Sequence, residues 1–352
     1  MKNLRKLLAL ILATTMLLSV VGCGSKSEND IDDSPKEEAT EQAKEVTVTD
    51  YLGREVTLGE VKSIALAWYM ADDFPLALGA GDRIVAVGPY DDFHATVCPA
   101  LKEMDSVGRG KPDMEKLAQL NPDLLIHKAY DKETIQACED MGINVIGISA
   151  ETSEETLDTL KLVGKALGLE DRANMLCDYY NSIMDIAKDK IKDIKPEDYK
   201  SFLYLGKKDG SVADGSMMQA QMVSAGGGRN LAEDIDSKEF WPVVGMEQIF
   251  EWNPEFIFLS SSFSSGSDVD IESLISDPAW KELQAVKNGN VFVMPSTLHA
   301  WENCGLAPCL GTVWSMMKMY PELYSEKEFD KLVEEFYKTV YNLDLDREAL
   351  GY

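Results

Sequence analysis

A segment that occurs twice constrains this chain more than any other feature. Residues 114–126 read Met-Glu-Lys-Leu-Ala-Gln-Leu-Asn-Pro-Asp-Leu-Leu-Ile, and residues 246–258 read Met-Glu-Gln-Ile-Phe-Glu-Trp-Asn-Pro-Glu-Phe-Ile-Phe, with no gap between the copies. Each copy opens a short amphipathic helix with a glutamate, Glu115 or Glu247. Each stops it at Asn-Pro, because the residue before a proline is pushed out of the helical region. An acidic residue and an apolar run of strand length follow. A helix feeding a buried strand is half of an α/β unit, so the chain is expected to hold two similarly built α/β lobes. Two like lobes in one chain predict a ligand cleft between them.

The first residues set the compartment. Lys2, Arg5 and Lys6 form a basic start, and residues 7–21 are apolar but too short for a comfortable membrane span. The run ends in Val20-Val21-Gly22-Cys23, which resembles the lipobox of bacterial lipoproteins. That resemblance implies cleavage of residues 1–22 and a lipid on Cys23, holding the protein on the outer face of the bacterial cell membrane by the anchor alone. Residues 23–44 carry few large apolar side chains and mainly acidic charge, so they are expected to form a flexible linker.

The net charge is −27, and cleavage of the signal removes three of the basic residues. A body this acidic repels phosphate backbones and anionic lipid, which excludes nucleic acid as a partner. Beyond Cys23, the chain has Cys98, Cys138, Cys177, Cys304 and Cys309, an odd number without motif spacing. Cys304 and Cys309 are close enough in sequence to pair; pairing and free thiols both stay open.

From residue 45, short apolar runs alternate with helical patterns. A hairpin over 46–58 precedes strands at 64–67, 83–87, 124–127 and 144–148, with helices at 69–78, 115–120 and 132–141 between them. This rhythm predicts a parallel sheet covered on both faces, over 45–152. Residues 153–195 read as helix with a break near 168–171, and are expected to form a stiff spine. The βα rhythm resumes over 196–352, with strands at 201–205, 256–259 and 290–294 and helices at 216–225, 246–252, 310–319 and 326–341. Gly226-Gly227-Gly228 follows a helix, so it reads as a C-terminal cap and not as a phosphate cradle.

Six groups of residues then carry a family resemblance. They are Thr49-Asp50 with Gly53-Arg54-Glu55-Val56; Leu78-Gly79-Ala80-Gly81-Asp82-Arg83-Ile84-Val85; Val107-Gly108 before Pro112-Asp113-Met114-Glu115; and Gly142-Ile143-Asn144-Val145. Ala225-Gly226-Gly227 with Asn230, and Asp277-Pro278-Ala279-Trp280 running to Gly289, complete the set. In this order and spacing, over about 45–325, the chain resembles the iron-siderophore, haem and cobalamin type of ABC-transporter solute-binding protein. The resemblance implies two Rossmann-like α/β lobes with parallel-rich sheets, joined by one long helix, with the ligand held between them. It also implies delivery to an ABC permease and its ATPase, with Glu115 and Glu247 docking onto permease arginines. As bare chemistry, both glutamates equally complement a helix dipole.

Ligand contacts are read from topology, because ligands of α/β lobes sit beyond the carboxyl ends of parallel strands. That rule selects Trp68, Tyr69, Tyr90, Phe93, His94, Lys128 and Tyr130 in the first lobe, and Tyr204, Ser262, His299 and Trp301 in the second. Aromatics at loop starts suit a flat or macrocyclic ligand, although Tyr204 also fits a core. His94 and His299 lie in opposite lobes; a jointly held metal or haem iron is one reading of the pair, structural roles the other. His127, at a strand end, reads as structural. Arg109 and Arg229 are the only arginines near loops that could face a cleft, which disfavours a highly charged catecholate and leaves low-charge ferric-siderophores, haem and cobalamin. Glu302 and Cys304 read either as ligand contacts or as a helix entry. Two alternatives remain: a ligand-sensing or scaffold lipoprotein, and a surface hydrolase, for which the chain has no Gly-x-Ser-x-Gly and no His-Glu-x-x-His.

Overall fold

The computed structural model describes residues 45–108, 111–208, 210–235, 239, 241–260 and 271–352. The expected signal, Cys23, the linker to residue 44, Arg109 and Ser262 lie outside the described residues. An antiparallel hairpin, β1 (Val46–Thr49) and β2 (Glu55–Leu58), opens the body. Asp50 and Arg54 at its turn form an ion pair. The Asp50 carboxylate also accepts the Gly147 N–H at 2.9 Å, and Arg54 donates to the Val145 carbonyl at 3.1 Å, which ties the hairpin to the sheet behind it.

That sheet consists of β3 (Ile64–Leu66), β4 (Ile84–Val87), β5 (Asp105–Ser106), β6 (Leu124–Lys128) and β7 (Val145–Ile148), in the order β5-β4-β3-β6-β7. All its pairings are parallel, and β3 and β7 are buried throughout. A second parallel sheet has the order β11-β10-β8-β9, from β8 (Lys200–Leu205), β9 (Gly228–Asn230), β10 (Phe256–Leu259) and β11 (Val291–Val293). In both sheets the strand order reverses around the first core strand, β3 or β8, which places a crevice beyond its carboxyl end.

The repeated segment builds the same joint twice. Helices Met114–Leu120 and Met246–Trp252 each end on an asparagine in the left-handed region, Asn121 at φ 43° and Asn253 at φ 41°. Asparagine tolerates that conformation, and the following proline forbids further helix. The acid two residues on then caps the start of a neighbouring strand: Asp123 accepts the Ser63 N–H at 2.8 Å, and Glu255 accepts the Ser201 N–H at 2.9 Å. Asn144 and Asn290 close each joint on the carbonyls of Asp123 and Glu255, both at 3.1 Å.

Two sequence expectations change in detail. The continuous helix expected over 69–78 splits into a 3-10 turn, Tyr69–Ala71, and a helix, Asp73–Ala77. Pro75 has no N–H to bond, so it fits only the first turn and the α-helix starts just before it. Residues 153–192 break where the sequence places the break, into helices Ser153–Ala166 and Glu170–Ile191, but these turn back against each other at Gly168, whose φ is +69°, instead of running on as one spine. They approach so closely that a Cβ at Gly164 would meet the Ala173 Cβ at 2.5 Å. The first helix packs on the hairpin; the longer one packs on helices Pro308–Met319 and Met218–Ala225 beside the second sheet.

Each sheet has its own outer apolar cluster, around Leu125 and Val145 in one and Ile257 and Leu283 in the other. Between them a single large cluster runs from Ile64 and Phe74 through Leu160 and Tyr180 to Phe202, Leu310 and Phe336. Helices Pro308–Met319 and Glu326–Tyr341 supply much of it.

Candidate functional site

A cavity of about 440 Å³ opens where the carboxyl ends of the two sheets face each other. From the first sheet side come Met70, just after β3, and Glu151, just after β7. The second side supplies Ser216, Met217, Met218 and Gln219 at the entry of helix Met218–Ala225, Ser260 after β10, Trp241, and the run Glu302-Asn303-Cys304. Two carboxylates, three thioethers, one thiol, one indole and several neutral polar groups thus meet in one space. No lysine, arginine or histidine is among these described lining residues.

Glu302 is the best-positioned group. It is buried, and it accepts the Tyr204 O–H at 2.6 Å and the Ser260 O–H at 2.8 Å. Both donors stand at strand ends, Tyr204 in β8 and Ser260 after β10, so the second sheet itself aims the carboxylate. Its backbone carbonyl accepts from Gln219 at 3.2 Å, which ties the 302–304 run to the helix entry opposite. Burial and the neighbouring carboxylate push the Tyr204 phenol far up, so it stays a donor.

Trp241 occupies an unusual backbone state, with φ at 64°. A bulky residue in the left-handed region costs on the order of 1–3 kcal/mol and persists only where its surroundings enforce it. Here its ring lies over Gly206, where a Cβ would meet the indole at 2.5 Å. Only glycine at 206 lets the ring settle there, against Tyr204 at a ring separation of 6.3 Å.

Glu151 is exposed at the rim, and partial burial, then the Glu155 charge, raise its pKa. Cys304 is a free thiol that burial pushes up strongly, with the charges of Glu151, Glu155 and Asp73 adding to the shift. Tyr130 is raised by burial and then by Glu151 and Cys304, which places it near the same rim.

The residues selected from the sequence divide sharply. Tyr130 is exposed, with the Lys128 ammonium 5.0 Å from its ring centre; Trp68, edge-on to Tyr130 at 6.4 Å, is buried in the central core, and none of the three is among the residues lining the cavity. Tyr90 is half-buried against the central core, and Tyr69 lies in the 3-10 turn before Met70. Phe93, Tyr204, His299 and Trp301 are corrected from cavity wall to core. Phe93 and His299 stack at 3.7 Å, and the Tyr337 hydroxyl lies 2.8 Å from Trp301 Nε1 and 3.1 Å from His299 Nδ1. The helix Glu326–Tyr341 covers these loops, and the large rings satisfy themselves under it; loop position says nothing about such a cover. Tyr204 reaches the cavity only through Glu302.

His94 and His299 do come together, with ring centres 6.3 Å apart, but inside this aromatic core. Burial, and then the charge of His94, pushes His299 down to about 3, so it is neutral. His94 lies 2.9 Å from Asp91 and 4.0 Å from Asp73, and its pKa is raised by those acids against the opposing effect of burial. Among the described residues no group of three His, Cys, Asp or Glu side chains is arranged to hold a metal ion. Cys304 and Cys309 are both free: the Cys309 thiol donates to the Leu306 carbonyl at 3.1 Å. His127 is buried and contacts Asp131 at 3.1 Å.

Sequence reasoning passed over Met70, Glu151, Ser216, Met217, Met218, Gln219, Trp241 and Asn303. Glu151 carries a usable signal, since it follows the strand Val145–Ile148, whose apolar run is legible in the sequence. Trp241 carried none, because its place depends on a backbone state and on a glycine far away in sequence.

The fold and cavity place this chain among known proteins. Its architecture matches a periplasmic solute binding protein from Veillonella parvula, at a TM-score of 0.75 and 24% identity over 88% of this chain and 96% of that one. In sequence it is 25% identical to the molybdate-binding protein MolA of Haemophilus influenzae, over 84% of this chain and 90% of the relative. It is also 25% identical to the Fe(3+)-citrate-binding protein YfmC of Bacillus subtilis, over 78% and 84%. The family described as periplasmic binding protein matches residues 64–298, which span both sheets and most of the cavity wall, and the chain belongs to that family.

Proposed function

We propose that the protein captures a metal chelate or tetrapyrrole-like compound in the cavity between its two sheets and delivers it to an ABC permease. The observation that carries this reading is the cavity itself. It is lined from both sides, lies beyond the carboxyl ends of both parallel sheets, and at about 440 Å³ falls in the range of small-molecule sites. A bare ion or a tetrahedral oxyanion, at a few times the ~30 Å³ share of one water, would leave most of it empty. An oxyanion such as the one MolA is named for would also want cationic forks, and the described lining has none. Met70, Met217, Met218 and Trp241 suit a bulky ligand, since thioethers adapt to irregular shapes and an indole buries a large apolar face.

Delivery is assigned to the repeated joint. Glu115 and Glu247 are exposed in the first turns of equivalent helices, each held by its Asn-Pro-acid joint to its own sheet. Two like charges on two like mounts suit a two-point dock onto basic residues of a permease. The lipobox-like Cys23 would keep the protein beside that permease. Titration of the protein by tryptophan fluorescence with a low-charge ferric siderophore, haem, cobalamin and molybdate tests the ligand class. Micromolar or tighter binding of one bulky compound is expected; tight binding of molybdate alone would overturn the reading.

A further inference from the structure

We propose that the cavity selects a ligand of net positive charge, with Glu151 as the charge-selecting residue and Trp241 as the aromatic face. The inference rests on the chelate reading above and narrows it. Glu151 projects from the turn after β7 onto the cavity rim, where the charge that acts on it among the described residues is that of another acid, Glu155. The Glu155 side chain is engaged already, by Tyr51 at 2.7 Å and Ser149 at 2.8 Å, whereas Glu151 has no ion pair or side-chain hydrogen bond among the described residues. Its charge is therefore directed at solvent and at whatever fills the cavity.

Two further groups report the same field. The acids that act on Cys304 are Glu151, Glu155 and Asp73, and those that act on Tyr130 include Glu151 and Asp131. Among the described residues no cation contributes to either shift. Lys128 leans over the Tyr130 ring at 5.0 Å and is not part of the lining. A cation entering here exchanges part of its hydration for a carboxylate and for the π-face of an indole held rigidly in a left-handed backbone. The three thioethers and the thiol supply polarisable contact without charge, so they tolerate a metal complex while adding no affinity for an anion. An anionic chelate of the same shape meets the Glu151 charge with no cation among the described lining residues to offset it.

The test uses one scaffold at three charges: the ferric complex of a linear trihydroxamate with its terminal amine free, acetylated or succinylated. These differ by single charge steps and little in the metal-bearing core. Affinities for the full chain are expected to fall in that order, by about three- to fivefold per step. Glu151→Gln should compress the series, Glu151→Lys should invert it, and Glu154→Gln, on the exposed helix start beside it, should leave it unchanged. Equal or tighter binding of the succinylated form, or a series that survives Glu151→Gln, would overturn charge selection while leaving the chelate reading intact. Failure of all three complexes, with haem and cobalamin also failing, would overturn the chelate reading and this inference with it.

Discussion

The carboxylate of Asp73 accepts the backbone N–H of Leu306 at 2.9 Å across a sequence separation of 233 residues. Its other oxygen accepts the Tyr341 O–H, so one buried side chain on the short helix after β3 holds both the loop behind the cavity and the end of the last long helix. Gly305, at φ +141°, is what lets the loop come so near, since a Cβ there would strike the Asp73 carboxylate. Asp73→Ala leaves a buried N–H and a buried hydroxyl without partners. Chemical denaturation should show a loss of about 3 kcal/mol. Because Glu302-Asn303-Cys304 lead directly into the clamped loop, ligand affinity should fall as well. Unchanged stability would show that the clamp is not a structural tie.

Asp72, next to it, predicts how stability depends on pH. Both its oxygens are buried without a hydrogen-bond partner among the described residues, and burial raises its pKa to about 8. His94 opposes that shift, while Asp91 and Asp73 add to it. The folded form therefore holds a proton that the unfolded chain releases near 3.8, and stability from this group is lost as pH rises from about 4 to about 8. His94, raised in the fold, works in the same direction above its ordinary value. Asp72→Asn removes the titration, so its melting temperature relative to the unaltered protein should rise between pH 5 and pH 8, by about 2 °C or more. A constant difference across that range would rule the assignment out.

Glu115→Ala and Glu247→Ala should separate transport from binding. Both side chains are exposed and neither lines the cavity. Ligand affinity should change less than about twofold, while uptake in cells falls, most in the double variant. Equal losses of affinity and uptake would contradict docking.

Closure on the ligand should be small. The central cluster runs unbroken from Phe74 to Phe202 and Leu310, so a wide hinge would have to tear buried apolar contacts apart. Scattering from free and loaded protein should differ by less than about 1 Å in a radius of gyration of ~19 Å for a body this size. A change of several ångströms would show that the cluster is not the barrier.

Sequence alone determined the parts of this protein that local chemistry governs. Asn121-Pro122 and Asn253-Pro254 stop their helices, and Phe256–Leu259 reads as a strand because four consecutive β-forming apolar residues after such a stop, with serines following, have strand length and not helix length. The parallel α/β architecture and the loops that frame the cavity follow from that rhythm. Which side chain in a loop meets the cavity was decided only in three dimensions. Trp301 and His299 sit in the right loop, yet helix Glu326–Tyr341 lies over them and Tyr337 binds both. Trp241 reaches the cavity because Gly206 leaves room for its ring, and Glu302 because Tyr204 and Ser260 arrive on separate strands to hold it. Strand and turn signals act over a few residues, whereas these placements depend on volumes and donors brought together from distant parts of the chain. Such coincidences exist only once the sheets have packed.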